Sequence, residues 1–208
     1  MNSQIKNENQ VQSNGLTESG ERITPLTRIF VVVGLLAVAL FVAPKTALAA
    51  TCSSQSGGGN WSTVGTWSCG RVPGSTATAD TAVITTGNPV TVTASNGTNN
   101  VTALTVNASA TLTINTTITL TIGGGASATN AGATVNGTIT NAGTLTPSGT
   151  GTITFNSGST YTHNQNGGTI PTATWNANST LQITGATSTN PGGSGQGFGN
   201  VTWNCAGQ

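Results

Sequence analysis

The stretch LTVNASATLTINTTITLTI, residues 104–122, decides the fold. Its even positions are Leu104, Val106, Ala108, Ala110, Leu112, Ile114, Thr116, Ile118, Leu120 and Ile122, and among them only Thr116 is polar. Every odd position is Thr, Asn or Ser. A strict period of two places alternate side chains on opposite faces, which marks strands with one face buried. The run is 19 residues long, against ~3–10 for an ordinary strand. The chain must therefore bend without losing its inside-out phase. Asn107-Ala108-Ser109-Ala110 and Asn115-Thr116-Thr117 supply the small, turn-prone residues for two bends.

Beyond Gly123-Gly124-Gly125 the phase flips, a slip that glycine dihedral freedom permits. Odd positions become the inward ones (Val135, Ile139, Leu145, Ile153, Phe155, Tyr161), and Thr fills many even ones. Alternation returns at Ala173, Trp175, Ala177, Leu181 and Ile183, breaks in the Gly-rich stretch from Pro191 to Gly199, and ends on Val201-Thr202-Trp203. Two all-β architectures fit. A β-sandwich would reverse the chain at Asn96-Gly97, Asn136-Gly137 and Asn166-Gly167. A parallel β-helix, or β-solenoid, would use the same dipeptides as corners and stack each rung on the last. Alternation carried through bends favours the β-helix, as do the short repeats Asn130-Ala131-Gly132 and Asn141-Ala142-Gly143. At about 20 residues per rung, roughly six or seven rungs are expected, in a rod of about 30 Å.

Three segments follow from composition. Residues 1–49 read as a signal peptide with a long polar leader: Met1 to Arg28 is polar, Ile29 to Ala43 is an unbroken apolar run, and Ala47-Leu48-Ala49 is a small-x-small cleavage site. The apolar run, 15 residues, is short of the ~20 a spanning helix needs, so no membrane insertion is expected after cleavage. Residues 50–81 form an irregular head, and 82–208 carry the solenoid repeats. The product is expected to be secreted, outside the cell or on its surface.

Charge nearly vanishes after the leader. From Ala50 to Gln208 the charged side chains are Arg71 and Asp80, with one imidazole at His163. A basic footprint for nucleic acid is missing, so that partner is excluded. Glycosidase chemistry needs paired carboxylates, which this stretch lacks. A Ser or Thr nucleophile would need an activating base, and His163 is the sole candidate. We therefore expect no enzyme, no cofactor and no metal site. Asp80 is expected to order the head by accepting hydrogen bonds, and His163 to sit at an exposed corner. Cys52, Cys69 and Cys205 meet an oxidising compartment after export. Cys52 and Cys69 are close in sequence and are the disulfide candidate, leaving Cys205 free or intermolecular.

The head, Trp61-x5-Trp67-x2-Gly70-Arg71-Val72-Pro73 followed by Asp80-Thr81-Ala82-Val83-Ile84, resembles the start of large bacterial secreted surface proteins with β-helix repeats. The run from Gly149 to Gly185 and the closing FGNVTWNCAGQ (residues 198–208) are similar to the same adhesin-like group. The resemblance implies an extracellular location and a structural or adhesive role, and carries over no catalytic residue. Such proteins continue into further modules, so the chain is expected to be an N-terminal piece. Its partners would be surface glycans, other cells or copies of itself.

Two rival functions attach to specific residues. Trp61 and Trp67 could stack on sugars in a carbohydrate-binding module, or else cap the open end of the rod. The outward pairs Thr111/Thr113, Thr119/Thr121, Thr138/Thr140, Thr144/Thr146, Thr152/Thr154 and Thr160/Thr162 could form a grid that binds ice. We take Thr111, Thr113, Thr119, Thr121, Thr152 and Thr154 as candidate surface contacts. Successive pairs start 8, 19, 6, 8 and 8 residues apart. That spacing predicts pairs scattered over several faces, whereas an ice face needs one pair per rung.

Overall fold

The computed structural model describes residues 48–75, 79–93, 100–123 and 132–206. The Asn96-Gly97 corner, Gly124-Gly125, and Asn130-Ala131 of the first short repeat lie outside the described residues, as do residues 1–47.

The strands climb in rungs. The first rung holds β1 (Thr51–Ser53) and β2 (Gly59–Asn60), and the second β3 (Thr81–Ile84), β4 (Val90–Val92) and β5 (Asn100–Val101). The third holds β6 (Ala103–Val106), β7 (Thr111–Ile114) and β8 (Thr119–Ile122), and the fourth β9 (Ala133–Val135), β10 (Thr138–Asn141) and β11 (Thr144–Pro147). Then come β12 (Ile153–Phe155) with β13 (Thr160–His163), β14 (Thr174–Trp175) with β15 (Thr180–Ile183), and last β16 (Asn200–Trp203). Like strands of successive rungs pair in parallel, giving a six-stranded sheet β1-β3-β6-β9-β12-β14, a seven-stranded sheet β16-β15-β13-β10-β7-β4-β2 and a three-stranded sheet β11-β8-β5. This is a parallel β-helix, not a sandwich of hairpins. Among the described residues no helix is long and apolar enough to cross a membrane.

The core follows the period-2 reading closely. Leu104, Val106, Leu112, Ile114, Leu120 and Ile122 are buried before the flip, and Val135, Ile139, Leu145, Ile153, Phe155 and Tyr161 after it. Ala108 and Ala177, both read as inward, are exposed, because Asn107 to Ala110 and Asn176 to Ser179 are turns in which the Ala110 N–H donates to the Asn107 carbonyl (3.0 Å) and the Ser179 N–H to the Asn176 carbonyl (3.0 Å). The second bend is built alike, with the Ile118 N–H donating to the Asn115 carbonyl (3.2 Å). Ser109 (φ 60°) and Thr117 (φ 66°) occupy the third position of these turns in the left-handed region.

Corner length then varies from rung to rung. Above each of those four-residue turns the next rung turns more tightly, at Asn136-Gly137 and Ala142-Gly143. A Cβ at Gly137 would overlap the Asn107 and Ala110 carbonyl oxygens, and one at Gly143 those of Asn115 and Ile118. Only glycine lets the backbone seat on the turn below.

Side-chain columns run up the stack. Asn176 Nδ2 donates to Asn156 Oδ1 (2.9 Å), and Asn156 Nδ2 to Asn136 Oδ1 (2.8 Å). Inside, Phe155 and Trp175 share a register position and stack with centroids 4.2 Å apart. Such like-on-like columns stabilise parallel stacks of repeats.

The alternation makes a direct test possible. Ile139→Asp should cost at least about 4 kcal/mol or prevent folding, because it buries an unpaired charge. Thr134→Asp, one face away and outward, should cost less than about 1 kcal/mol. Equal losses in urea denaturation would contradict the assigned inside and outside.

Candidate functional surface and the head that anchors it

Parallel register decides which threonines share a surface. Thr111, Thr138, Thr160 and Thr180 are Cα partners in succession up the seven-stranded sheet, and Asn200 continues the column. Beside it run Asn60, Thr91, Thr113, Thr140, Thr162, Gln182 and Thr202. Thr-x-Thr pairs on β7, β10 and β13 therefore stack one per rung on one face. The six pairs are scattered over three faces, as their spacing predicted, but these three meet the one-pair-per-rung condition on one of them. Register steps on this sheet are 27 residues from Thr111 to Thr138, 22 to Thr160 and 20 to Thr180. Unequal corners absorb unequal spacing, so pairs that are irregular in sequence come into line.

The other candidates fall elsewhere. Thr119 and Thr121 lie on the three-stranded sheet, beside Thr144 and Thr146. Thr154 joins Thr105, Thr134 and Thr174 in a single column on the six-stranded sheet. Thr152 precedes β12, and its carbonyl accepts the Ala133 N–H (2.8 Å). The six candidate residues thus divide among three faces. Thr138, Thr140, Thr160, Thr162 and Thr180 belong with Thr111 and Thr113. The identical 20-residue spacing of Asn136, Asn156 and Asn176 was the sequence signal that could have revealed the register.

Trp61 and Trp67 are both about 1% exposed and cannot meet a sugar. Their rings pack edge to face with centroids 4.9 Å apart. Trp67 Nε1 donates to the Trp61 carbonyl (2.7 Å), and Trp61 Nε1 reaches the Pro73 carbonyl (3.4 Å). The carbohydrate reading that rested on this pair falls, because both polar edges are engaged and both faces are covered. Cys52 and Cys69 are bonded, with Cα atoms 4.9 Å apart. Cys205 is unpaired and half-buried, its thiol donating to the Ile183 carbonyl (3.3 Å).

The charged residues are structural. Asp80 is fully buried. It accepts Arg71 Nη2 (2.7 Å) and Nε (3.1 Å) in a bidentate pair, together with the Ala50 N–H (2.9 Å). Arg71 also donates to the Leu48 carbonyl (2.6 Å). One ion pair thus ties the chain before β1 to the loop that leads into β3.

His163 is fully buried, which corrects the expected exposed corner. It takes an inward core position in register with Asn141 and Ile183, and the corner Asn164 to Gly168 wraps over it. Its Nε2 lies 2.7 Å from the Gly167 carbonyl. A carbonyl only accepts, so Nε2 carries the proton. Nδ1 is buried without a partner among the described residues. Protonating it would place an unsatisfied charge in the core. Burial accordingly lowers the His163 pKa, against the opposing pull of the Gly167 carbonyl. Among the described residues no three His, Cys, Asp or Glu side chains gather as metal ligands.

Compared with protein-family models, with characterised proteins and with solved structures, the chain matches none.

Two stability predictions follow from these groups. Arg71→Ala should cost about 3 kcal/mol, because it strips the buried Asp80 carboxylate of its guanidinium counter-charge. Arg71→Ala combined with Asp80→Asn should cost less than the two single changes added, and strict additivity in a double-mutant cycle would deny the coupling. For His163 the folded pKa lies below the unfolded value of ~6.5. Its contribution is present in full above that value and is lost as pH falls through it towards the folded pKa, with a slope of at most about 1.4 kcal/mol per pH unit. Urea titrations between pH 7.5 and 5 should show this fall, and His163→Gln should flatten it.

Proposed function

We propose that this chain is a non-catalytic structural and adhesive β-solenoid segment of an exported protein, with the outer face of the seven-stranded sheet as its contact surface. The observation that carries the reading is the in-register double column of threonines on that face. Neighbouring hydroxyls stand about 4.8 Å apart between rungs and about 6.7 Å apart along each strand. An uncharged array of this kind offers many modest hydrogen bonds and no strong one, which suits attachment by many copies at once. Export rests on the leader, whose apolar run and Ala47-Leu48-Ala49 site have the layout of a cleaved signal. A non-catalytic role is supported by where the acid–base groups went: Asp80 is committed to Arg71, and His163 is sealed in the core.

One observation favours a second reading, ice binding. Thr111/Thr113, Thr138/Thr140 and Thr160/Thr162 meet the one-pair-per-rung requirement. The next rungs carry Thr180 with Gln182, then Asn200 with Thr202. Complete pairs therefore cover a patch only about 10 Å high, which places ice binding second.

Full-length chain displayed on beads should adhere weakly to cells, to glycan-coated surfaces or to itself, and show no measurable thermal hysteresis. Thr138→Tyr and Thr160→Tyr should reduce the adhesion severalfold while leaving the fold intact. Hysteresis that Thr138→Tyr abolishes would select the ice reading instead. Beads that adhere to nothing would reduce the segment to a passive spacer.

A further inference from the structure

The corner between the seven-stranded and three-stranded sheets is notched. β7 reaches β8 through the four-residue turn Asn115 to Ile118, whereas β10 reaches β11 through Ala142-Gly143 alone. The next corner, Asn164 to Gly168, is long again. The fourth rung is therefore recessed between two projecting neighbours, which stand two strand spacings, about 10 Å, apart. Three adjoining hollows of about 500, 410 and 420 Å³ follow one another across this notch. The first two share Thr116, Thr117, Ala142 and Asn164, and the last two share Gly143, Thr144 and Gln165. Together they make one continuous cleft.

Its far end is built from a strand edge. The Thr144 N–H donates to the Ile118 carbonyl and the Ser148 N–H to the Ile122 carbonyl, so β11 leans on β8 through its even-numbered residues. Alternation turns the Leu145 N–H and C=O the other way, into the cleft. Opposite lies the segment Thr169 to Thr172, which does not pair with β11. It pairs upward instead, Thr169 bridging Gly192 and the Ile170 N–H donating to the Gly192 carbonyl (3.0 Å). Gln165 spans the middle, its Nε2 donating to the Gly143 carbonyl (2.8 Å).

We propose that this cleft binds a neutral polysaccharide chain. The walls offer hydroxyls, amides and one backbone donor–acceptor pair, which match sugar hydroxyls in both directions. Half-buried Pro147 adds a small apolar surface for a sugar C–H face. No charged side chain lines any of the three hollows, so an anionic ligand would find no cation to hold it. An extended peptide fits poorly. Pro147 has no N–H, which leaves Leu145 alone to form a strand-type ladder. The proposal goes beyond the adhesive face: the first hollow borders that face at Thr113 and Thr140, whereas Thr138 and Thr160 line none of the three hollows.

The test is calorimetric titration of the full chain with neutral hexasaccharides (cellohexaose, laminarihexaose, maltohexaose, mannohexaose and chitohexaose) and with charged oligogalacturonate. At least one neutral sugar should bind with a Kd below about 1 mM, and oligogalacturonate should not bind. Ala142→Trp, which fills the floor of the notch, should weaken binding at least about tenfold. Thr144→Arg on the exposed rim should weaken it as well, and keeps the test open if Ala142→Trp does not fold. Thr134→Trp on the six-stranded sheet should leave binding unchanged. The proposal is overturned if none of the five neutral sugars binds, if oligogalacturonate binds better than they do, or if a folded Thr144→Arg binds like the unaltered chain. Because bead adhesion is read with Thr138→Tyr and Thr160→Tyr, either proposal can fail while the other stands.

Discussion

Parallel, in-register stacking of one rung on the next is the constraint on which everything else depends. Each interior strand bonds to the rung below and the rung above, so its backbone groups are satisfied only if the neighbours present the same alternation at the same height. Like residues then lie over like. Val90, Leu112, Ile139, Tyr161 and Leu181 form one inward column, and the threonines form the outward ones. Polarity inside a column can be answered locally. Asn141 shows how: its Nδ2 donates to Tyr161 Oη (2.8 Å) and its Oδ1 accepts the Gly143 N–H (3.0 Å).

Corners are where the structure varies, and variation there shapes the surface. A four-residue turn projects and a two-residue corner recedes. Gly137 and Gly143 are the residues that let a short corner sit on a long one, since a side chain at either would meet backbone oxygens. The same alternation of long and short corners brings three of the threonine pairs into line on one face and opens the cleft beside it. Both proposed surfaces are therefore by-products of how the chain keeps its register while its spacing changes.

The head solves a different problem. Among the described residues the first rung has no rung beneath it, and an uncovered edge would expose apolar side chains and unpaired strand groups. Trp61 and Trp67 supply apolar bulk, the Cys52–Cys69 bond closes the loop around them, and the Arg71–Asp80 pair ties Ala50 and Leu48 to the approach to β3. The two formal charges between Ala50 and Gln208 thus act where the repeats cannot supply order themselves. Along the stack, hydroxyls, amides and the asparagine ladder take over the polar work.

Period-2 alternation by itself determined that the chain forms half-buried strands, which side of the strands from β6 to β15 faces inward, where the phase slips, and that Asn107–Ala110 and Asn115–Thr117 bend. Those properties are local: they depend on the order of neighbouring residues and on the two faces of a strand. Tertiary structure alone decided which threonines share a face, because register depends on corner lengths that alternation does not encode. The same holds for Thr138 and Thr160, which lie above Thr111 only once corners of different length have closed. It also decided that His163 is buried and that Trp61 and Trp67 are covered. Burial at a strand's end depends on whether the next corner folds over it, and Asn164 to Gly168 does so through contacts between rungs. The cleft was illegible for the same reason, being the difference in height between three corners far apart in sequence.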